Sequence, residues 1–427
     1  MKSFLKSIVA FFLALLARAV VRRYRPHIVM VTGSVGKTST KDAVAAVLSS
    51  RFLVRKSEKS FNSEFGVPFT ILGVDNPWNN AFAWLSLIKS SVALLALPNH
   101  YPKMLVLEVG ADRPGDLARI LRIATPDAVV VTRLPEVPVH VEAYASPRAV
   151  REEEFSPAYA LTAEAPLVIS ADDPYARESA MRTPARVISY GLADDATVRI
   201  SGVAFSEREG VVDGMRAMVT VNGEQEDLVV RGSVGATQVL PASAAMAIAL
   251  AFKISPSDAR ASLEAYEPPP GRGRLLAGKN DSILIDDSYN ASPVAMEHAL
   301  ATLKAFPHAA RRIAVLGDML ELGRYSVEEH ERIGAIARAS ADIVVAVGIR
   351  ARAFASSTEK EIGAEVVLFD NAEAAASALV GIVAPGDVVL VKGSQSIRTE
   401  RIVKALLADP ADAARLVRQE TRWQSRA

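Results

Sequence analysis

Thr32 to Thr40 reads Thr-Gly-Ser-Val-Gly-Lys-Thr-Ser-Thr and follows the apolar run Ile28-Val29-Met30-Val31. A strand that breaks into a Gly-rich turn ending in Gly-Lys-Thr is a phosphate cradle. Backbone N–H groups of Gly33, Ser34, Val35 and Gly36, and of Ser39 in the next helix, are expected to face phosphate oxygens. Lys37 is placed to reach the β- and γ-phosphates, and the Thr38 hydroxyl to hold Mg²⁺. The expected ligands are ATP and Mg²⁺. The general P-loop pattern wants Gly where Val31 stands, so this shorter form is a narrower signature. The segment Lys41 to Leu48 has the helical pattern the motif requires.

Other strand ends carry further chemistry. Glu108 closes the buried run from Met104, and ligands bind at the carboxyl ends of parallel strands. It is a candidate Mg²⁺ ligand beside Thr38. His140 follows the run ending at Thr132 and is a candidate second metal ligand. Asp286-Asp287-Ser288-Tyr289-Asn290-Ala291-Ser292-Pro293, Leu316-Gly317-Asp318-Met319-Leu320-Glu321-Leu322-Gly323 and Val391-Lys392-Gly393-Ser394 end three more strands. Polar strand ends on one edge of a sheet describe a site.

The elements that position these residues alternate between strand and helix patterns. That predicts an α/β protein with parallel sheets covered on both faces. Strands are expected at 52–54, 104–110, 127–132 and 166–173. Residues 195–231 alternate polar and apolar around Asn222-Gly223, which reads as an antiparallel hairpin region. Gln238 to Phe252 reads as an Ala-rich helix, and Pro268-Pro269-Pro270-Gly271 as a linker. Beyond it, strands at 282–286, 312–316, 343–347, 365–369 and 388–391 imply a Rossmann-like unit. The expected domains are an apolar helix over 1–25, a P-loop ATPase domain over 26–267 and a C-terminal domain over 268–427, with a helical or loose tail after Pro410.

Composition narrows the function classes. The chain of 427 residues has a formal net charge of +1, which gives no global field for nucleic acid. It has no Cys, which removes disulfides, thiolate nucleophiles and Cys-ligated zinc and suits a reducing cytoplasm. Its six His residues show no paired metal-ligand spacing. Ser7 to Val21 is nearly all apolar, with Lys2, Lys6, Arg18, Arg22, Arg23 and Arg25 in or around it. It is short for a membrane span of about 20 apolar residues. A signal peptide is set aside because the P-loop strand follows at once and an exported protein would meet no ATP. Two readings stand: a helix on the inner membrane surface, or a helix packed on the domain or a partner. A second apolar helix is expected from Ala81 to Leu97, with a buried core helix as its plain alternative.

Together these motifs resemble the Mur ligase family. The Thr32–Thr40 loop matches its ATP loop. Ser60 to Pro68, Asp286 to Pro293 and Val315 to Gly323 are similar to the branch that adds D-alanyl-D-alanine. The resemblance implies an ATP-dependent amide ligase in peptidoglycan precursor synthesis. The γ-phosphate passes to a muramyl-tripeptide carboxylate, and the amine of D-Ala-D-Ala attacks the acyl phosphate. It implies Lys37, Glu108, His140 and Asn290 as catalytic groups. It places Arg272, Asn290 and Asp318 on ATP, and Asn62, Lys392 and Ser394 on substrate. The carrier of the peptide is expected to be a nucleotide or a lipid, and the chain a cytoplasmic monomer, with contact to the inner membrane surface through 1–25 as one of the two open readings of that helix. Alternatives are a folylpolyglutamate- or cyanophycin-type ligase, or a catalytically impaired ATP-binding homologue at the membrane.

The sequence departs from the family pattern in four places. About 25 residues precede the P-loop strand, where the family has a UDP-binding domain. No lysine stands near Glu152, Glu153 or Glu154 to be carbamylated, and Glu154 has the spacing to replace it as a metal ligand. Thr132-Arg133 stands for Thr-Asn, with a longer insert from Leu134 to Pro138. Thr237 and Pro241 stand where the family has His and Asn.

Overall fold

The computed structural model describes residues 2–58, 61–77, 80–355 and 364–420. Among these residues the strands form two sheets. The chain opens with helix α1 (Lys2–Tyr24), then β1 (His27–Thr32), α2 (Lys37–Leu48), β2 (Val54–Lys56), α3 (Gly66–Leu72), α4 (Ala81–Ala96) and β3 (Met104–Glu108). The first sheet continues with β4 (Ala128–Val131), β5 (Pro166–Ser170), β6 (Arg186–Gly191), β7 (Val198–Arg208), β8 (Val211–Val221) and β9 (Glu224–Arg231). Its order is β2-β3-β1-β4-β5-β6-β7-β8-β9. Strands β1 to β7 pair in parallel, while β7, β8 and β9 form an antiparallel meander.

The continuous apolar runs of β1, β3 and β4 explain their central place, since such strands are covered on both faces. Val31 pairs with Glu108, and Thr32 with Val131. The P-loop, Glu108 and the loop leading to His140 therefore leave the sheet at one edge. The hairpin region expected from the alternating pattern is the three-stranded meander. Asn222 and Gly223 turn between β8 and β9 with φ of 52° and 85°, as a tight hairpin requires.

The second sheet holds β10 (Arg274–Gly278), β11 (Ser282–Asp287), β12 (Arg312–Gly317), β13 (Ile343–Val347), β14 (Glu365–Phe369) and β15 (Val388–Lys392), in the order β10-β11-β15-β12-β13-β14. All neighbours are parallel except β10 with β11. The five strands expected beyond the linker are present. Strands β6 and β10 were not expected. The β6 run Arg-Val-Ile-Ser-Tyr-Gly is broken by a serine, and β10 is a short arm that folds straight back on β11. The strand expected at 52–54 lies two residues later, at Val54–Lys56.

Apolar residues on the two faces of the first sheet form separate clusters. One contains α2 and the helix Val239–Ala251. The other contains α1, α3 and α4. Among the described side chains of α1 the buried residues are Leu13, Ala17 and Val20, at helical i, i+4, i+7 spacing. That face of α1 packs on the domain. In α4, Leu87, Ser91 and Leu94 are buried, so only one face of the helix is core. No helix among the described residues is long and apolar enough to cross a membrane.

Candidate active site

The P-loop is shaped by two glycines. Gly33 has φ of 113°, and a Cβ there would lie 2.3 Å from Thr132 Oγ1. Only glycine fits, because the strand end of β4 presses on the turn. Gly36 (φ 89°) precedes α2, and no side chain caps that helix. The first N–H groups of α2 are thus open to an anion, with the helix dipole behind them. The Ser34 and Val35 amides, expected to face phosphate oxygens, donate instead to the Arg133 carbonyl at 2.9 and 3.4 Å, because the chain leaving β4 pairs with the turn.

Lys37 folds its Nζ onto the Gly33 carbonyl and lies 3.9 Å from Glu154 Oε1. Thr38 Oγ1 is 3.2 Å from Glu108 Oε1. Arg272, from the linker to the second sheet, donates Nη2 to the same Thr38 hydroxyl at 3.0 Å. Its guanidinium stacks on Tyr289 at 4.2 Å from the ring centre. Glu108 is 2% exposed, and its Oε2 has no hydrogen-bond partner. A buried carboxylate oxygen left bare is costly. Thr38 and Glu108 therefore fit a hard divalent cation, whose oxygen ligands are of this kind.

The other two expected metal ligands, His140 and Glu154, lie beside the cradle but bind other side chains. His140, in a left-handed conformation (φ 65°), contacts Glu321 Oε2 through Nδ1 at 2.8 Å and Asp112 Oδ1 through Nε2 at 3.6 Å. Burial pulls its pKa down, but the hydrogen bond and charge of Glu321, with Asp112, outweigh that and raise it. Glu154 is buried and accepts from Ser34 Oγ, and burial raises its pKa despite Lys37. Among the described residues, no three His, Asp or Glu side chains form a group ready for a metal. The expectation of one metal held by Thr38, Glu108, His140 and Glu154 thus reduces to the Thr38–Glu108 pair. Each of the other two is already engaged by nearer partners.

The second sheet supplies the opposite wall. Lys392, at the end of β15, pairs with Asp287 at 2.6 Å and donates to the Asn290 carbonyl at 3.1 Å. Burial raises the Asp287 pKa, and Lys392 works against it. Ser394 Oγ accepts from the Leu320 amide at 2.9 Å. Asp318 does not face the nucleotide cradle as expected. Its carboxylate accepts from the Ala351 amide at 2.7 Å, its carbonyl accepts from the Ser394 amide at 3.0 Å, and it is outside the cavity wall. It is a loop organiser inside its own domain.

Between the two walls lies a cavity of about 1390 Å³. Ser34 through Ser39, Asn62, Glu108, His140, Arg272, Asn290, Lys392 and Ser394 all line it, so most of the expected site residues share one space. The Asn62 carbonyl accepts from the Gly110 amide at 3.1 Å. Ser60, the first residue of the Ser60–Pro68 segment, lies outside the described residues. Thr237 and Pro241 line the cavity too. The sequence reading missed Asp112, although it stands just past Glu108. Asp287 and Glu321 were read only as parts of polar strand-end segments, and the tail segment around Val417 and Arg418, which also lines the cavity, was missed. Only the tail lacked any local signal.

An open-ended P-loop, a buried acid beside its threonine and a facing α/β domain define an ATP-dependent enzyme of two-wall design. Two family models match the chain: "Mur ligase middle domain" over residues 31–249 and "Mur ligase, glutamate ligase domain" over residues 271–395. The chain belongs to the Mur ligase family, and it is an ATP-dependent ligase that forms C–N bonds. It is 31% identical over 405 residues to the UDP-N-acetylmuramoyl-tripeptide–D-alanyl-D-alanine ligase of Mycobacterium tuberculosis H37Rv, covering 90% of this chain and 73% of that protein. It is 28% identical over 397 residues to the ligase of the same name from Bacillus subtilis, covering 92% and 79%. The MurF ligase of Thermotoga maritima, solved in complex with ADP, superposes with a TM-score of 0.76 at 26% identity, covering 93% of this chain and 83% of that one. A folylpolyglutamate synthase of Mycobacterium tuberculosis shares the fold, with a TM-score of 0.65 at 16% identity.

Proposed function

We propose that this chain joins D-alanyl-D-alanine to the terminal carboxylate of a muramyl tripeptide carried on UDP or on a lipid, in peptidoglycan precursor synthesis. The support is the single cavity in which the P-loop, Glu108 and the strand ends of the second sheet meet, together with the relatives named for that reaction. A carboxylate oxygen attacks the γ-phosphorus of ATP, the bond to ADP breaks, and an acyl phosphate forms. The amine of D-Ala-D-Ala then attacks the carbonyl carbon, loses a proton, and inorganic phosphate leaves with the acyl oxygen.

Lys37 and the open start of α2 hold the β- and γ-phosphates and offset charge in transfer. Mg²⁺ held by Thr38 and Glu108 would supply further charge neutralisation on the phosphates. Arg272 and Asn290 bind the nucleotide from the linker and second-sheet side. Lys392, Ser394 and Asn62 position the peptide and its acceptor, so positioning accounts for much of the rate. The working units are the P-loop domain over 26–267 and the C-terminal domain over 268–427, acting as a monomer in the cytoplasm, where ATP is available.

The test is phosphate release with ATP, Mg²⁺, UDP-muramyl tripeptide and a panel of amines. Release that rises with D-Ala-D-Ala and not with glutamate supports the reading. Release driven by glutamate on a folate or peptide acceptor overturns it.

A further inference from the structure

Among the described side chains, helices α1 and α4 are apolar on both faces, and one face of each is covered. On α1, Ile8, Phe11, Phe12 and Leu15 stand opposite the buried Leu13, Ala17 and Val20, with Phe11 64% exposed. On α4, Phe82, Leu85, Ile88 and Val92 stand opposite Leu87, Ser91 and Leu94, with Phe82 85% exposed. Both exposed sets repeat at helical spacing, so each is a continuous stripe rather than scattered surface residues.

The two helices are tied together at their C-terminal ends. Arg23 donates to the carbonyls of Leu95 and Leu97 at 2.8 and 3.3 Å, and the Tyr24 hydroxyl to that of Leu94 at 2.7 Å. Tyr24 also stacks on Tyr101 at 4.5 Å. The pair is therefore a fixed part of the first domain, not a loose arm.

Charge selects the occupant. By sequence every charged residue in α1 and α4 is basic: Lys2, Lys6, Arg18, Arg22, Arg23 and Lys89. Arg18 and Arg23 donate to backbone carbonyls, and Arg22 and Lys89 are exposed basic side chains beside the apolar stripes. The whole chain is nearly neutral at +1, so this bias is local. A second apolar protein surface needs no such bias, whereas an anionic bilayer attracts it. Basic side chains sit at headgroups while aromatic and aliphatic side chains enter the acyl boundary.

We infer that the α1–α4 face docks on the surface of an anionic phospholipid bilayer, peripherally and reversibly. The connection from α3 to α4 carries Asn76, which lines the cavity, so the docking face and the cavity mouth share one segment.

The test is flotation of the full chain with vesicles of phosphatidylglycerol and phosphatidylcholine, against vesicles of phosphatidylcholine alone. The expected result is binding to the anionic vesicles that weakens with salt. Phe11→Glu with Phe82→Glu should lower it by roughly tenfold or more, as loss of buried apolar area predicts. Arg22→Ser with Lys89→Ser, which leaves the apolar stripes intact, should weaken binding to anionic vesicles alone. Circular dichroism and ATP turnover report whether the variants stay folded. If the glutamate pair unfolds the chain, Phe12→Ser with Val92→Ser gives the same reading. Absence of vesicle binding overturns the inference. So does binding indifferent to lipid charge, or a concentration-dependent dimer abolished by the same substitutions. None of these outcomes bears on the ligase reaction, which is assayed without lipid.

Discussion

Glu108 has one carboxylate oxygen near Thr38 and the other facing no partner, in a setting only 2% exposed. Such a group is kept for a ligand that is bound in turnover. Glu108→Gln should leave the melting temperature near that of the parent and lower kcat by about 10²–10³, the scale of losing one preorganised electrostatic contact. Steady-state kinetics across a Mg²⁺ titration would check it, and an unchanged kcat would remove Glu108 from the site. Asp286 is the second residue with a measurable signature. Burial raises its pKa from 3.8 to about 6, although Ser288 donates to it. The folded state therefore holds a proton that the unfolded chain has lost, so this contribution is full below pH 3.8 and is lost as pH rises through about 6. The swing is on the order of 2–3 kcal/mol. Denaturant midpoints from pH 4 to 7.5 should fall in the parent and stay flatter in Asp286→Asn. Lys37, Thr38 and Glu108 were legible in the sequence because each sits at a motif or strand end. His140 was legible as a site residue, but its partner Glu321 was not, because that pairing is made by packing of one domain on the other.

The elements follow from the same local rules. Gly33 holds the turn because its φ of 113° and the nearby Thr132 leave no room for a side chain. Gly33→Ala should abolish nucleotide binding by displacing the loop, with a loss of stability of about 1–3 kcal/mol from strain. Isothermal titration with an ATP analogue, beside a melt, separates the two effects. The buried strands β1, β3, β4, β11, β12, β13 and β15 were readable as apolar runs, and the part-exposed edge strand β14 by its run Val366-Val367-Leu368-Phe369. Strand β6, interrupted by Ser189, and the short arm β10 were not, since each is fixed by its neighbour rather than by its own pattern. Glu154 shows the same limit. Spacing from His140 suggested a shared metal, but the fold turns its carboxylate to Ser34 and Lys37.

At the scale of the molecule, the two domains share an apolar core cluster, and two polar links join them at the cavity. Arg272 reaches Thr38 at 3.0 Å, and Glu321 reaches His140 at 2.8 Å. Each joins a residue of the first domain to a group from the linker or beyond it, so each needs the two walls of the cavity to stand together. Glu321→Ala should lower kcat by about tenfold with ATP affinity little changed, because a latch between domains acts on closure rather than on the phosphate cradle. Equal loss in kcat and ATP binding would assign Glu321 to the nucleotide instead.

In the proposed reaction one cavity couples ATP cleavage to amide formation between a muramyl peptide and D-Ala-D-Ala. The most direct measurement is mass spectrometry of the product formed from UDP-muramyl tripeptide, D-Ala-D-Ala, ATP and Mg²⁺. The expected result is the D-alanyl-D-alanine adduct, one phosphate released per adduct, and no adduct with Lys37→Ala. ATP cleavage without adduct, or an adduct that survives Lys37→Ala, would contradict it.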